Sequence, residues 1–413
     1  MINDFKITFL NHASFTIEIN NSITLIDPWY FGKVFNNSWS LMKDTDDSQI
    51  DYSKVKYISI SHEHPDHLHW ATLKHIRSKT NNNITIIFPK RKNPNVMNEC
   101  KKIGFDFVYI DHFTETEIEE GYSITTFPAG HDNALVYRIG DKVICNQNDA
   151  YLDNSGVNSE HSHPNMLSKM NEMFPEIDLW LFQFSLAGYY GNSTEPDVIK
   201  QNGTKFHINK FIEYQNYLKP KMSIPFASFV YFCKQYNDYI NDYAVNLKDV
   251  LNLTQYPTQI PFYNKELSLT SLENNENYLL KWDNIILECR KEIIPAADFV
   301  GEEAIITELN KLYEQGYRIP SSINTKPVPF IILEFFDYDK NLVINTDKKE
   351  FLFIEKHKTP PEWVAGTLPT EELYTYLKTP WGGDTLNITG AFIKKNFNLW
   401  YVFLYARENL YKR

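Results

Sequence analysis

A chain of 413 residues exceeds one ordinary core, and its 43 % hydrophobic and 15 % aromatic content marks a folded globular protein with ample surface to bury. The formal charge of −11 excludes broad affinity for nucleic acid, which needs an excess of Lys and Arg to displace counterions. No apolar run approaches the ~18 residues that would cross a bilayer, and the four cysteines (Cys100, Cys145, Cys233, Cys289) lack the pairing of a disulfide framework or an iron–sulfur site.

The N-terminus runs directly into a strand-like segment at 7–10 without a basic stretch followed by an apolar one, so no export signal is read and a cytoplasmic location is expected. Further β-like runs follow at 14–19, 23–26, 57–60, 84–88, 107–110, 124–127 and 143–145, with helix-like connections at 73–79 and 96–103. Such short runs, punctuated by Asn, Asp and Gly turns, predict α/β layers rather than a helical bundle. Another apolar cluster at 177–184 leads into the small-residue turn Ser185-Leu186-Ala187-Gly188. From about 247 the composition shifts to Asn, Leu, Thr, Pro and Glu with little alternation, which reads as a surface connection or lid. A helix at 299–315, strands at 329–336, 342–345 and 351–354, and a helix at 370–377 then predict a small α+β unit. The expected organisation is a metal-binding domain over 1–246, a connection or lid over 247–290, and an α+β domain over 291–413.

Chemistry concentrates at His62-Glu63-His64-Pro65-Asp66-His67, immediately after the apolar run at 55–60. Neutral imidazole nitrogen and carboxylate oxygen are the donors that zinc, iron or manganese take in catalytic sites, whereas a structural zinc site would close its shell with Cys. More donors stand at the ends of other β-like runs: Pro128-Ala129-Gly130-His131-Asp132 and Cys145-Asn146-Gln147-Asn148-Asp149 downstream, and Asp27 in Leu25-Ile26-Asp27-Pro28-Trp29 upstream. A carboxylate placed like Asp27 can orient a ligating imidazole through its second nitrogen.

These residues resemble the metallo-β-lactamase superfamily, whose signature is HxHxDH with a later His, a later bridging Asp and an early Asp. The resemblance implies a four-layer αββα sandwich, with the smaller C-terminal α+β domain beyond it, and two divalent ions, zinc or iron. It assigns His62, His64 and His131 to the first ion, Asp66 and His67 to the second, Asp149 to the bridge, and Asp27 to the support of the loop. Asn11-His12-Ala13-Ser14-Phe15 resembles a segment near the start of several branches, which places His12 behind the ligands. The C-terminal region resembles the sterol-carrier type of α+β domain.

A closer resemblance, over little more than the first half of the chain, is to the non-Rieske part of CMP-N-acetylneuraminate hydroxylase. It is carried by residues 27–32, 58–62, Asp66-His67-Leu68, 72–74, 184–188 and Pro225-Phe226-Ala227-Ser228-Phe229. Two departures stand out. The CxH and CxxH pairs of a Rieske cluster are absent, and where that family often has a His after the Pro-Phe-Ala strand this chain reads Phe232-Cys233-Lys234-Gln235. The second ion then keeps Asp66, His67 and Asp149 with solvent, or recruits Cys233, His12, His161 or His163.

Two ions of this kind bring the pKa of a shared water towards ~7, so hydrolysis is the first expectation, with Asp66 ligating and also handling the proton of the attacking water. The expected substrate is an anionic small molecule such as a phosphorylated or nucleotide-linked sugar. Trp29, Tyr30, Phe184, Tyr189 and Tyr190 would wall its pocket, Ser185 would let backbone amides approach it and the Lys234 cation would face its charge. A diiron oxygenase drawing electrons from a separate protein is the alternative, and a non-catalytic scaffold with a degenerate site is the third. No nucleic acid is expected as a partner, and assembly of identical chains is compatible with all three readings.

Overall fold

Period-two alternation and dense turns produce short strands, and the strands assemble into two stacked sheets. The computed structural model describes residues 4–91, 93–153, 165–295, 299–320, 322–323, 326–346, 348, 350–379 and 382–408. The first sheet has seven strands in the spatial order Lys265–Glu266, Phe5–Asn11, Ser14–Ile19, Ser22–Ile26, Val55–Ser59, Thr85–Pro89 and Asp106–Ile110. The second has six, in the order Met222–Phe226, Leu179–Gln183, Lys142–Asn148, Asp132–Ile139, Tyr122–Ala129 and Thr116–Glu119.

The inner faces of the two sheets share one apolar core. Phe15 of the first meets Tyr137 of the second edge-on at 6.2 Å, and Phe9 meets Phe226 at 6.1 Å. Outside the first sheet lie the helices Trp70–Lys79 and Asn95–Ile103, which bury Leu73, Ile76, Val96 and Cys100. Outside the second lie Met166–Met173 and Phe206–Leu218, which bury Met170, Phe211 and Tyr214. Each sheet thus has a helical layer on its other face, giving the expected αββα order. The parallel strands Ser22–Ile26 and Thr85–Pro89 are buried almost throughout, which is why they carry so few charged residues.

Residues 247–290, expected to form a connection or lid, pack onto the N-terminal layers. Lys265–Glu266 pairs antiparallel with Phe5–Asn11 and extends the first sheet. The helix Asn275–Cys289 drives Trp282 into the shared core, where it stacks on Phe229 at 4.4 Å and donates its indole N–H to the Pro261 carbonyl at 2.8 Å. Low alternation here reflects a half-buried amphipathic helix and a two-residue edge strand, neither of which leaves a long periodic trace.

The C-terminal sheet runs Glu350–Glu355, Lys340–Asn345, Phe330–Phe335, Val364–Leu368 and Ile393–Lys394, mixed in direction, with a core of its own built from the helices Glu302–Glu314, Thr370–Lys378 and Phe397–Glu408. One buried polar link from it to the N-terminal layers is Lys234. The Lys234 ammonium lies 2.9 Å from Glu371 and 2.8 Å from Glu372, and both Lys234 and Glu372 are buried. Lys234 therefore faces the helix Thr370–Lys378 and is committed to two carboxylates, which removes it from the substrate-binding position expected from sequence. Its neighbour Cys233 donates to the Asn37 carbonyl at 3.2 Å and is likewise absent from the metal centre.

Removing one partner of a buried ion pair strands the other charge, so Lys234→Ala is expected to lower stability by about 3 kcal/mol or more. Urea denaturation followed by tryptophan fluorescence reads this, and adding Glu372→Gln to the variant is expected to recover part of the loss.

Candidate metal centre

The centre forms where strand ends of both sheets converge. Strand Ser22–Ile26 ends at Asp27, a fully buried residue with φ of 39°, a left-handed conformation that costs a non-glycine residue on the order of 1 kcal/mol. Its carboxylate accepts from the Ser61 N–H at 2.7 Å, the Ser61 hydroxyl at 2.7 Å, His67 Nδ1 at 3.1 Å and Asn148 Nδ2 at 3.1 Å. These bonds fix tautomers. With Nδ1 of His67 donating to Asp27, its Nε2 is left to face the centre. With the Ser61 hydroxyl already donating to Asp27, Nδ1 of His62 donates to that oxygen at 3.0 Å and its Nε2 also faces inward.

Two groups of donors result. His62, His64, Asp132 and Asp149 converge in one, and His12, Asp66 and His67 in the other. In the first, His62 Nε2 is 2.8 Å from His64 Nδ1, 3.5 Å from Asp132 Oδ1 and 3.6 Å from Asp149 Oδ2. In the second, Asp66 Oδ2 is 3.2 Å from His12 Nε2 and 3.3 Å from His67 Nε2. Asp149 Oδ2 also lies 3.4 Å from His67 Nε2, so this one carboxylate stands between the groups.

The donor set fits two cations. Asp66 Oδ1, Asp132 Oδ1, Asp149 Oδ1 and His67 Nε2 are buried without a hydrogen-bond partner, a costly state unless a metal takes them. Charge crowding says the same. Burial, and then the Asp149 carboxylate, push Asp132 up to about 7, while Asp66 and Asp149 hold His67 well above the usual imidazole range against its burial. Protons thus collect on Asp132 and His67, where positive charge is wanted, while the neighbouring imidazoles hold Asp66 and Asp149 below the usual carboxylate range against their burial.

Six of the residues singled out from sequence come together here: Asp27 as the support, and His62, His64, Asp66, His67 and Asp149 as donors. His131 does not join them. The strands Tyr122–Ala129 and Asp132–Ile139 pair through Ala129 and Asp132, so Gly130 and His131 form a two-residue turn, with Gly130 at φ of 67° and the His131 side chain exposed. Asp132, the first residue of the returning strand, supplies the donor instead. His12 is also displaced from its expected place behind the ligands. It occupies the tight turn after Phe5–Asn11, is held there by the Ala227 N–H donating to its carbonyl at 2.9 Å, and points Nε2 at Asp66. Imidazole from this turn thus fills the place that Cys233 does not. His161 and His163 lie outside the described residues.

A cavity of about 850 Å³ opens over His64, Asp66, Asp132 and Asp149. Of the expected pocket residues Tyr190 lines it, and Trp29, Tyr30, Phe184, Ser185 and Tyr189 do not. Trp29 is fully buried, donates to the Phe31 carbonyl and packs edge-on against His12 at 5.8 Å. Ser185 Oγ accepts the Val245 N–H at 2.8 Å, and Tyr189 stacks on Phe392 of the C-terminal core at 4.5 Å. The walls come from Tyr151, Tyr190, His207 and Gln183, and from Ile388 of the C-terminal unit. Sequence reading passed over His207 because it sits on the inner side of an otherwise ordinary amphipathic helix, where a lone His has the appearance of core packing.

Residues 6–165 match the family model described as beta-lactamase superfamily domain, and the chain carries a metallo-β-lactamase superfamily domain. Its likeness to individual proteins is distant and partial. A putative Rieske 2Fe-2S iron-sulfur protein of Mycolicibacterium smegmatis is 26 % identical over 198 residues, 45 % of this chain and 35 % of that protein. The cytidine monophosphate-N-acetylneuraminic acid hydroxylase of Asterias rubens is 35 % identical over 86 residues, 21 % of this chain and 13 % of the hydroxylase. The match therefore spans about a third or less of these relatives. Among solved structures, the Streptomyces venezuelae diiron beta-hydroxylase CmlA aligns with a TM-score of 0.43 at 15 % identity, over 65 % of this chain and 54 % of that one. Igni18, a metallo hydrolase of Ignicoccus hospitalis, aligns with a TM-score of 0.40 at 15 % identity, over 64 % of this chain and 97 % of that one.

The donor assignment predicts a pattern of metal loss. Asp132→Ala and His12→Ala are each expected to remove about one ion per chain, Asp149→Ala to weaken both sites, and His131→Ala to leave the metal content unchanged. Elemental analysis of the purified variants checks this, and retention of full metal by His12→Ala would contradict the second group.

Proposed function

We propose that the protein is a dinuclear iron enzyme that oxidises a small molecule, with electrons delivered by a separate protein. The observation that carries this reading is the make-up of the two donor groups. His62, His64 and Asp132 form one set of two imidazoles and one carboxylate, and His12, His67 and Asp66 form another, with Asp149 between them. Two His and one carboxylate with open positions is the donor set of non-haem iron oxygenases and one that catalytic zinc also takes, while three-imidazole sites suit zinc. Replacement of an expected His by Asp132 is what shifts the balance towards the harder, oxygen-rich set.

Iron held by these residues would supply redox cycling and activation of dioxygen. The residues of the chain do the rest. Asp27 and Ser61 lock the ring orientations of His67 and His62, so the donors are set before any ion arrives. The cavity brings a substrate to the open side of the groups, with Ile388 of the C-terminal unit forming part of its wall. None of the four cysteines sits in a CxH or CxxH pair, which supports a reductant carried outside these residues.

Hydrolysis is the second reading, and Asp66 favours it. Its Oδ1 is buried without a partner beside the cavity and could accept the proton of an attacking water.

Aerobic purification without chelator, followed by elemental analysis and a visible spectrum, separates the two. About two irons per chain with a charge-transfer band in the visible is the expected result. Zinc alone would overturn the oxygenase in favour of the hydrolase, and failure to retain any metal after reconstitution would remove both.

A further inference from the structure

One wall of the cavity carries a continuous hydrogen-bond chain. Tyr190 Oη lies 2.6 Å from His207 Nε2, His207 Nδ1 lies 2.6 Å from Tyr151 Oη, and Tyr151 donates to Gln183 Oε1 at 3.0 Å. His207 is buried, which holds it down at about 3, so the ring is neutral and has one donor and one acceptor nitrogen. The direction of the chain follows. Tyr151 gives its proton to Gln183, so it accepts from Nδ1–H of His207, and Nε2 then accepts from the Tyr190 hydroxyl. Every phenolic proton is used within the wall. Tyr190 also accepts from the Ala187 N–H, so what the tyrosines retain for a ligand in the cavity is their remaining oxygen lone-pair capacity.

Lone pairs ask for a donor. Hydroxyl and amide N–H groups can supply one, whereas a phosphate or carboxylate has no proton to give and would meet oxygen against oxygen. The remaining polar wall is uncharged: Gln201, Asn202 and Asn209 present exposed carboxamides, each both donor and acceptor, at the mouth. Positive charge is already taken. Among the described lining residues the one lysine or arginine is Lys210, bound to Asp153 at 2.7 Å and Glu213 at 2.8 Å, and Lys234 is tied to the C-terminal helix. At the floor, Asp66, Asp132 and Asp149, with Asp27 behind them, balance the charge that two divalent ions would bring.

We infer that the cavity takes an uncharged small molecule rich in hydroxyl or amide groups, and that Tyr190, His207 and Tyr151 form the wall that selects it. This replaces the anionic substrate expected from sequence. It rests on the metal groups being the reaction centre, and is independent of whether that centre oxidises or hydrolyses.

The test uses the full chain as purified with its metal and two matched probe pairs: N-acetylglucosamine against its 6-phosphate, and nicotinamide against nicotinate. Affinities come from ligand-observed saturation-transfer NMR titrations. The uncharged member of each pair is expected to bind about tenfold more tightly. Tyr190→Phe and His207→Leu are each expected to weaken that member about fivefold, the worth of one hydrogen bond, at unchanged circular dichroism and metal content. Tighter binding of the charged members overturns the inference, as does binding of neither, or a preference that survives both substitutions. The wild-type ranking stands as a test even where a variant fails to fold. Finding zinc in place of iron would sink the oxygenase reading and leave this ranking untouched.

Discussion

The buried carboxylate of Asp27 is the constraint on which the centre depends. It is fully enclosed, and a carboxylate there is tolerable only because four donors saturate it: the Ser61 N–H and hydroxyl, His67 and Asn148. Those donors come from different places. Ser61 and His67 belong to the turn after Val55–Ser59 in the first sheet, while Asn148 ends Lys142–Asn148 in the second. One side chain therefore pins the relative position of both sheets at the point where their strand ends meet, and the same bonds decide which imidazole nitrogens face inward. Three residues around it have positive φ: Asp27, Asn148 and Ala227. Asn148 bonds the support directly and Ala227 holds the carbonyl of His12, so these left-handed positions help to aim the donors.

Around this pin the molecule divides its work between two cores. The stacked sheets provide rigid strand ends, and the C-terminal unit adds Ile388 to the cavity wall and receives Lys234 into a pair of glutamates. A buried lysine with two carboxylates contributes little net stability against desolvation, yet it is intolerant of mispairing and so fixes where the C-terminal helix Thr370–Lys378 docks. Asn237 assists by donating to the Thr389 carbonyl at 2.8 Å, close to the cavity-lining Ile388. The unit that carries no metal donor among its described residues thereby shapes the space in which the metals would act.

Local pattern made much of this legible. The strands at 14–19, 107–110 and 124–127 and the helices at 96–103 and 370–377 were readable because alternation, or three-to-four spacing, is a property of neighbours in sequence. His62, His64, Asp66 and His67 were readable for the same reason: they share one turn, and their spacing is their geometry. Asp149 and Asp27 were readable as carboxylates ending apolar runs. The segment at 247–290 left little periodic trace because its strand has two residues and its helix is buried along only a narrow stripe around Trp282.

The sequence alone determined that both sheets exist and that imidazoles and carboxylates stand at their ends, because burial alternation and turn chemistry are written residue by residue. Only the tertiary structure decided which donors converge. The choice of Asp132 over His131 turned on a two-residue hairpin whose register flips successive side chains to opposite faces. The entry of His12 turned on contacts made across more than fifty positions with Asp66, and the departure of Lys234 on a helix more than a hundred and thirty positions away. Long-range pairing of this kind leaves no local trace, since any polar residue at a strand end is compatible with several partners until packing selects one.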